Sequence, residues 1–157
     1  MSDTPRTLSE SVHVDASPEA VYDLVSDQTR VGEWSPVCKA VAWDDPARAG
    51  EVGATFTGHN ETADRSWSTT STVIAADRPH RFAWTVGDGL VHWSFDLAPD
   101  DGGTLLTESW ELAEAGERVF RERYGDRGEA EIDDRAQAAV DGVPATLQAI
   151  KRIIEQG

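Results

Sequence analysis

From Arg65 to Trp110 the chain alternates large side chains with small polar ones at a period of two. Trp67, Thr69, Ser71 and Val73 share one parity, with Ser66, Ser68, Thr70 and Thr72 on the other. Phe82, Trp84 and Val86 come after one turn, and Val91, Trp93, Phe95 and Leu97 after Gly87-Asp88-Gly89. Pro99 to Gly103 then leads to Leu106, Glu108, Trp110 and Leu112. Alternation between short Gly-, Pro- and Asp-rich breaks predicts half-buried antiparallel strands joined by hairpins. Leu8, Glu10, Val12 and Val14 predict a first strand and Val37 to Trp43 a second. Ala54 to Thr62 predicts a third, in which Phe56, Gly58 and Asn60 share a face. The expectation is one curved, seven-stranded antiparallel sheet with strands in chain order.

Helical signals frame this sheet. Ser17-Pro18-Glu19 has an N-cap, a proline at the first helical position and an acid at the positive end of the dipole, with Val21, Leu24 and Val25 facing inward. Asp27 to Trp34 predicts a second short helix, ended by Ser35-Pro36. Ala113 to Gly128 is charged and Gly-interrupted, and reads as a loop with one helical turn around Val119, Phe120 and Tyr124. From Glu129 to Gln156, Ile132, Ala136, Val140, Val143, Leu147, Ile150 and Ile154 recur at steps of three and four, which describes one face of a long helix. Gly142 and Pro144 fall inside it, and the proline predicts a bend. Met1 to Arg6 reads as a disordered lead-in and residues 7–157 as a single α+β domain, with no internal repeat or dividing linker.

The content of the predicted inner face is what suggests a function. A tightly filled core favours Leu, Ile and Val, whereas indoles separated by hydroxyls suit a concave surface that holds a flat or greasy ligand. The candidate lining is Phe56, Asn60, Trp67, Thr69, Ser71, Trp84, Trp93, Phe95 and Trp110, with Val143 and Leu147 from the helix and Trp34 at the rim. The competing reading is that these rings simply fill the core. A dry cavity of about 300 Å³ would cost on the order of 7 kcal/mol, comparable to a domain's whole stability, so such a space implies a use.

Glu108 is the candidate catalytic residue. Its place between Leu106 and Trp110 points the carboxylate inward, where desolvation raises its pKa and suits it to general acid–base work. A register slip would instead turn it to solvent, or it could bond a loop amide. Asn60 either orients a ligand carbonyl or bonds a neighbouring backbone edge. Arg65 either meets an anionic ligand group or forms an exposed ion pair.

Charge and composition narrow the partners. With 14 basic and 29 acidic residues the formal charge is −15, which disfavours nucleic acid and anionic membranes. Cys38 is the single cysteine, and His13, His59, His80 and His92 are not paired at ligand spacing, so no metal site is expected. There is no phosphate-cradling glycine loop and no nucleophile elbow, and no cofactor is expected. A polar start and the absence of any long apolar run predict a cytoplasmic protein, monomeric or weakly dimeric.

Several stretches together carry a resemblance. They are Ala16-Ser17-Pro18-Glu19-Ala20-Val21-Tyr22, Gly32-Glu33-Trp34-Ser35-Pro36, Gly53 to Asn60, and Gly103-Thr104 with Thr107-Glu108-Ser109-Trp110. With the order of elements, they make the chain resemble the helix-grip fold of the START/Bet v 1-like (SRPBCC) superfamily, in its bacterial polyketide cyclase/dehydrase-like branch. The resemblance implies a sheet and long helix gripping a cavity for a small apolar molecule. It also implies a place in secondary-metabolite pathways of the aromatic polyketide or enediyne kind, either sequestering a product or forming rings as a cyclase/aromatase. A protein-interaction module is a third possibility on the same fold.

Overall fold

The computed structural model describes residues 4–157. Seven strands, β1 (Thr7–Val14), β2 (Cys38–Trp43), β3 (Thr55–Glu61), β4 (Ser66–Asp77), β5 (Arg81–Val86), β6 (Val91–Asp100) and β7 (Gly103–Leu112), form one antiparallel sheet. The helices are α1 (Pro18–Val25), α2 (Glu114–Tyr124) and α3 (Gly128–Gln156), with a 3-10 helix at Gln28–Glu33. The α+β architecture expected from the pattern is present, with the sheet and long C-terminal helix that the resemblance to the helix-grip fold implies.

Two expectations are corrected. The sheet order is β1-β7-β6-β5-β4-β3-β2, so the strands do not all follow chain order. β1 pairs with β7, from Thr7 opposite Glu111 to Val14 opposite Thr104. The segment containing α1 and the 3-10 helix carries the chain from one edge of the sheet to the other, and β1 and β2 become its two edges. Secondly, the segment read as a loop after β7 is the eleven-residue α2. Gly116 lets it lie against the sheet, because a Cβ there would collide with the carbonyl of Leu90 and with Leu112.

Local chemistry accounts for the other elements. Ser17 caps α1 by accepting a hydrogen bond from the Ala20 amide at 3.2 Å, and Pro18 begins the helix. Positive φ angles at Gly87 (63°) and Gly89 (79°) turn β5 into β6, a conformation that costs glycine nothing. β2 and β4 carry register shifts at Cys38/Ala40 and Val73/Ala75, irregularities of the kind that bend a strand and curve a sheet. α3 runs through Pro144 as one 29-residue helix. Gly142 faces Pro36, whose Cγ would lie 3.5 Å from an added Cβ, so the middle of α3 meets the approach to β2. The expected lead-in falls partly outside the described residues. Of the remainder, Thr4 Oγ1 donates to Asp133 at 2.8 Å, and Arg6 Nε donates to Glu117 at 2.6 Å.

Two apolar clusters sit between the sheet and the helices. The larger unites Val21, Val25, Phe56, Phe82, Phe95 and Leu106 with Val143, Leu147 and Ile150 of α3. The smaller joins Trp110 and Leu112 to Ile132, Ala136 and Ala139, and Trp93 touches both. The outer face of the sheet is polar. There Ser9 and Ser109 meet at 3.1 Å, Ser11 and Thr107 at 2.7 Å, and Arg81 pairs with Asp96 at 2.9 Å.

Candidate functional site

Strand register arranges the inner face as rows across the sheet. One row runs Phe56, Ser71, Val86, Val91, Leu112. The next runs Val73, Trp84, Trp93, Trp110, Leu8, and the third runs Ala76, Phe82, Phe95, Glu108, Glu10. On β5 and β6 exposure falls from row to row, whereas toward the sheet edges Phe56, Ser71 and Leu112 of the first row are buried and Glu10 of the third is exposed. Val86 and Val91 are partly exposed, as are Trp84 and Trp93, while Phe82 and Phe95 are almost wholly buried. The face is therefore part packed core and, on β5 and β6 near their hairpin, part half-exposed apolar surface.

At the centre, Trp84 and Trp93 stack with centroids 6.3 Å apart and planes 13° apart. Trp84 also leans on Phe82, Phe95 and Phe56 at 5.7, 5.8 and 6.2 Å. Indoles in central strands are ordinarily covered. Their partial exposure here presents flat apolar surface within a curved sheet. Asn60 donates through Nδ2 to Thr69 Oγ1 at 3.2 Å and to the Trp67 carbonyl at 3.4 Å. It thus bonds its neighbouring strand, one of its two expected roles. Thr69 and Trp67 are partly exposed and Ser71 is buried.

Glu108 faces inward as the alternation predicts, and is 4% exposed. It stands where the two apolar clusters meet, between Leu106 of one and Trp110 of the other. Its Oε1 is buried without a hydrogen-bond partner among the described residues, and burial pushes its pKa from the ordinary 4.5 to about 8. At neutral pH this carboxyl is largely protonated, able to donate a proton or, once ionised, to take one.

Other predicted residues fall elsewhere. Trp34 was expected at the rim, but at 5% exposure it is packed into the larger cluster, as are Val143 and Leu147. Trp110 is buried against α3. Arg65 is not a free anion receptor: its guanidinium lies 5.0 Å from the Trp67 centroid and pairs with Glu131 at 3.1 Å. Arg135 sits over both Trp67 (5.5 Å) and Phe120 (5.1 Å) and reaches Glu131 at 2.8 Å. Burial would raise the Glu131 pKa, yet hydrogen bonds from Arg135 and Arg65 hold it below the usual carboxylate range. Sequence reasoning missed this clamp, although Glu131 and Arg135 stand four apart on one helix, the spacing of a paired face.

A shallow, open hollow on the outer face mixes polar and apolar groups, among them Thr7, Ser9, Ile74, Arg81, His92 and Ser109. Among the described residues no cluster of three His, Cys, Asp or Glu could hold a metal ion. No helix of the described residues is long and apolar enough to cross a membrane.

Comparison with known proteins extends this picture. A Polyketide_cyc-like protein from Corynebacterium glutamicum, solved by NMR in solution, is 45% identical with a TM-score of 0.72, covering 98% of this chain and 94% of that one. The di-domain ARO/CYC protein StfQ of the steffimycin biosynthetic pathway gives 12% identity and a TM-score of 0.68. BexL, the di-domain ARO/CYC protein of the BE-7585A pathway, gives 21% and 0.67. These two matches cover 98% and 95% of this chain but 52% and 50% of theirs, and at such identities they show the fold alone. No curated protein matches the chain. The family described as polyketide cyclase / dehydrase and lipid transport matches residues 5–148, nearly the whole sequence, and the chain belongs to that family.

Proposed function

We propose that the inner face of the sheet binds a bulky hydrophobic or aromatic small molecule of the polyketide kind, in its biosynthesis, transport or sequestration. The observation that carries this reading is the stacked Trp84–Trp93 pair, partly exposed on central strands. A planar ring laid on these indoles removes apolar area from water on both sides, at about 25 cal/mol per Å². Family membership supports the ligand class, and the di-domain aromatase/cyclase proteins show that the same fold serves polyketide pathways. Titration with a panel of neutral polyaromatic compounds tests it. Tryptophan fluorescence should quench and saturate, and a flat response across a diverse panel refutes the reading.

Glu108 supports a second reading, a cyclase or aromatase. As a carboxylate it would accept a proton from an activated methylene of the bound chain, and as the resulting acid it would return one to the oxygen that gains charge when the ring closes. Its burial without a partner and its pKa of about 8 favour this role. In that case Glu108→Gln abolishes turnover while affinity for neutral aromatic ligands is retained. Surviving turnover removes Glu108 from the chemistry.

A further inference from the structure

We propose that the molecule received on this face carries a protonated aliphatic amine, and that its ammonium is taken up by Glu108 beside the Trp93 indole. The inference rests on the aromatic-binding reading above and names the ligand's polar group. Glu108 is a deep acceptor whose Oε1 has no hydrogen-bond partner among the described residues. Register places it opposite Phe95, one row from the Trp93–Trp110 pair, so the carboxyl and the Trp93 indole are diagonal neighbours on one face.

No side-chain cation among the described residues pairs with it. β6 offers only Val91, Trp93, Phe95 and Leu97 on this face, and the α3 residues clustered with its flanking Trp110 and Leu106 are all apolar: Ile132, Ala136, Ala139, Val143, Leu147 and Ile150. From β1, Glu10 stands in register with Glu108 but is exposed, so water solvates its carboxylate. Tyr22 of α1 packs on Phe82, and the charges around it are Asp77, Arg78 and Asp23. Glu108 is thus the one buried carboxyl of its row.

The molecule already shows what completes such an arrangement. Between β4 and α3, the Trp67 ring carries the guanidinium groups of Arg65 and Arg135, and both pair with the buried Glu131. Indole, cation and carboxylate close on one another there, each offsetting the desolvation of the next. Trp93 and Glu108 repeat the indole and the carboxylate, and an ammonium on the ligand supplies the third part. A chain of formal charge −15 also draws cations in preference to anions.

The rival recognition, a protonated Glu108 donating to a ligand carbonyl, has the opposite pH dependence, so calorimetry separates the two. Naphthylmethylamine, naphthylmethanol and naphthoate share one ring system and differ only in the polar group. The amine should bind roughly tenfold tighter than the alcohol, and the acid weakest. Its affinity should rise at least tenfold, on the order of a full decade, between about pH 6 and about pH 8, with release of a proton from Glu108 read from buffers of different ionisation heat. Glu108→Gln should remove both the rise and the amine's advantage while leaving the alcohol's affinity in place. The pH dependence and proton release in the unmodified protein decide the matter even if that variant folds poorly. Equal binding of amine and alcohol, or amine affinity that falls with pH, overturns this inference and leaves the aromatic surface standing. Failure of all three to bind overturns both.

Discussion

Replacing Glu108 by Gln should stabilise the protein in a strongly pH-dependent way. In the folded chain burial pushes this carboxyl to about 8, while in the unfolded chain it titrates near its ordinary 4.5. Below about pH 4 both states hold the proton and the group is neutral in the balance. As pH rises between the two values, the unfolded chain loses its proton and the folded chain does not, so stability falls by about 1.4 kcal/mol per unit. By pH 7 the loss is about 3 kcal/mol, and above the folded value it levels off at about 5 kcal/mol. Those sums are a large fraction of the roughly 5–15 kcal/mol that holds a domain together. Gln keeps the shape and cannot ionise, so any cost of its amide is the same at every pH. Urea unfolding of both proteins at several pH values reads the difference directly. The variant's advantage should grow by roughly 3 to 4 kcal/mol from about pH 5 to about pH 8. A gap that stays constant over that range would show that the carboxyl is hydrated, and the account of the site's interior would fail with it.

Other substitutions probe the rest of the scaffold. Leu106→Ala empties a site that is 0% exposed and should cost about 2–5 kcal/mol, seen as a lower urea midpoint at an unchanged slope. Gly116→Ala drives a methyl into the Leu90 carbonyl and Leu112, and should cost about 1–3 kcal/mol with faster amide exchange along α2. Arg135→Ala takes away a cation held against two rings and one of the three arginines on Glu131. It should cost about 1–3 kcal/mol and raise the Glu131 pKa, measurable by carbon-detected NMR titration.

How much of this could be read from the chain depends on which forces fixed each part. β3 to β7 and α3 were legible because each buries one face, and burial imposes a period on the residues that supply it. Glu108 was placed correctly for the same reason: Leu106 and Trp110 leave it no other side. α2 was not legible. Its cap is Ala113, which offers no side-chain oxygen, and Gly116 breaks its apolar pattern. Its contacts with Leu90, Arg6 and Glu129 hold it instead. The acids Glu114 and Glu117 in its first turn and the arginines Arg121 and Arg123 in its last were the one local clue. Trp34 misled because a tryptophan suits both a rim and a core, and only packing decides. Pairing of β1 with β7 leaves no local mark at all, since the alternation of a strand says which face is buried and not who lies beside it.

That pairing has a consequence for how the molecule comes into being. Ser9 and Ser109, bonded side chain to side chain, are separated by 100 positions. On the ribosome the first strand emerges about 100 residues ahead of its partner and must wait, unzipped, until β7 has followed it. Closure over so long a loop makes acquisition of the native state slow, on the order of milliseconds to seconds for topologies of this kind. Meanwhile an orphan ribbon is open to adhesion by other nascent chains. Ser9, Glu10, Ser11 and His13 space out the apolar residues of that ribbon, so it remains wettable while it waits.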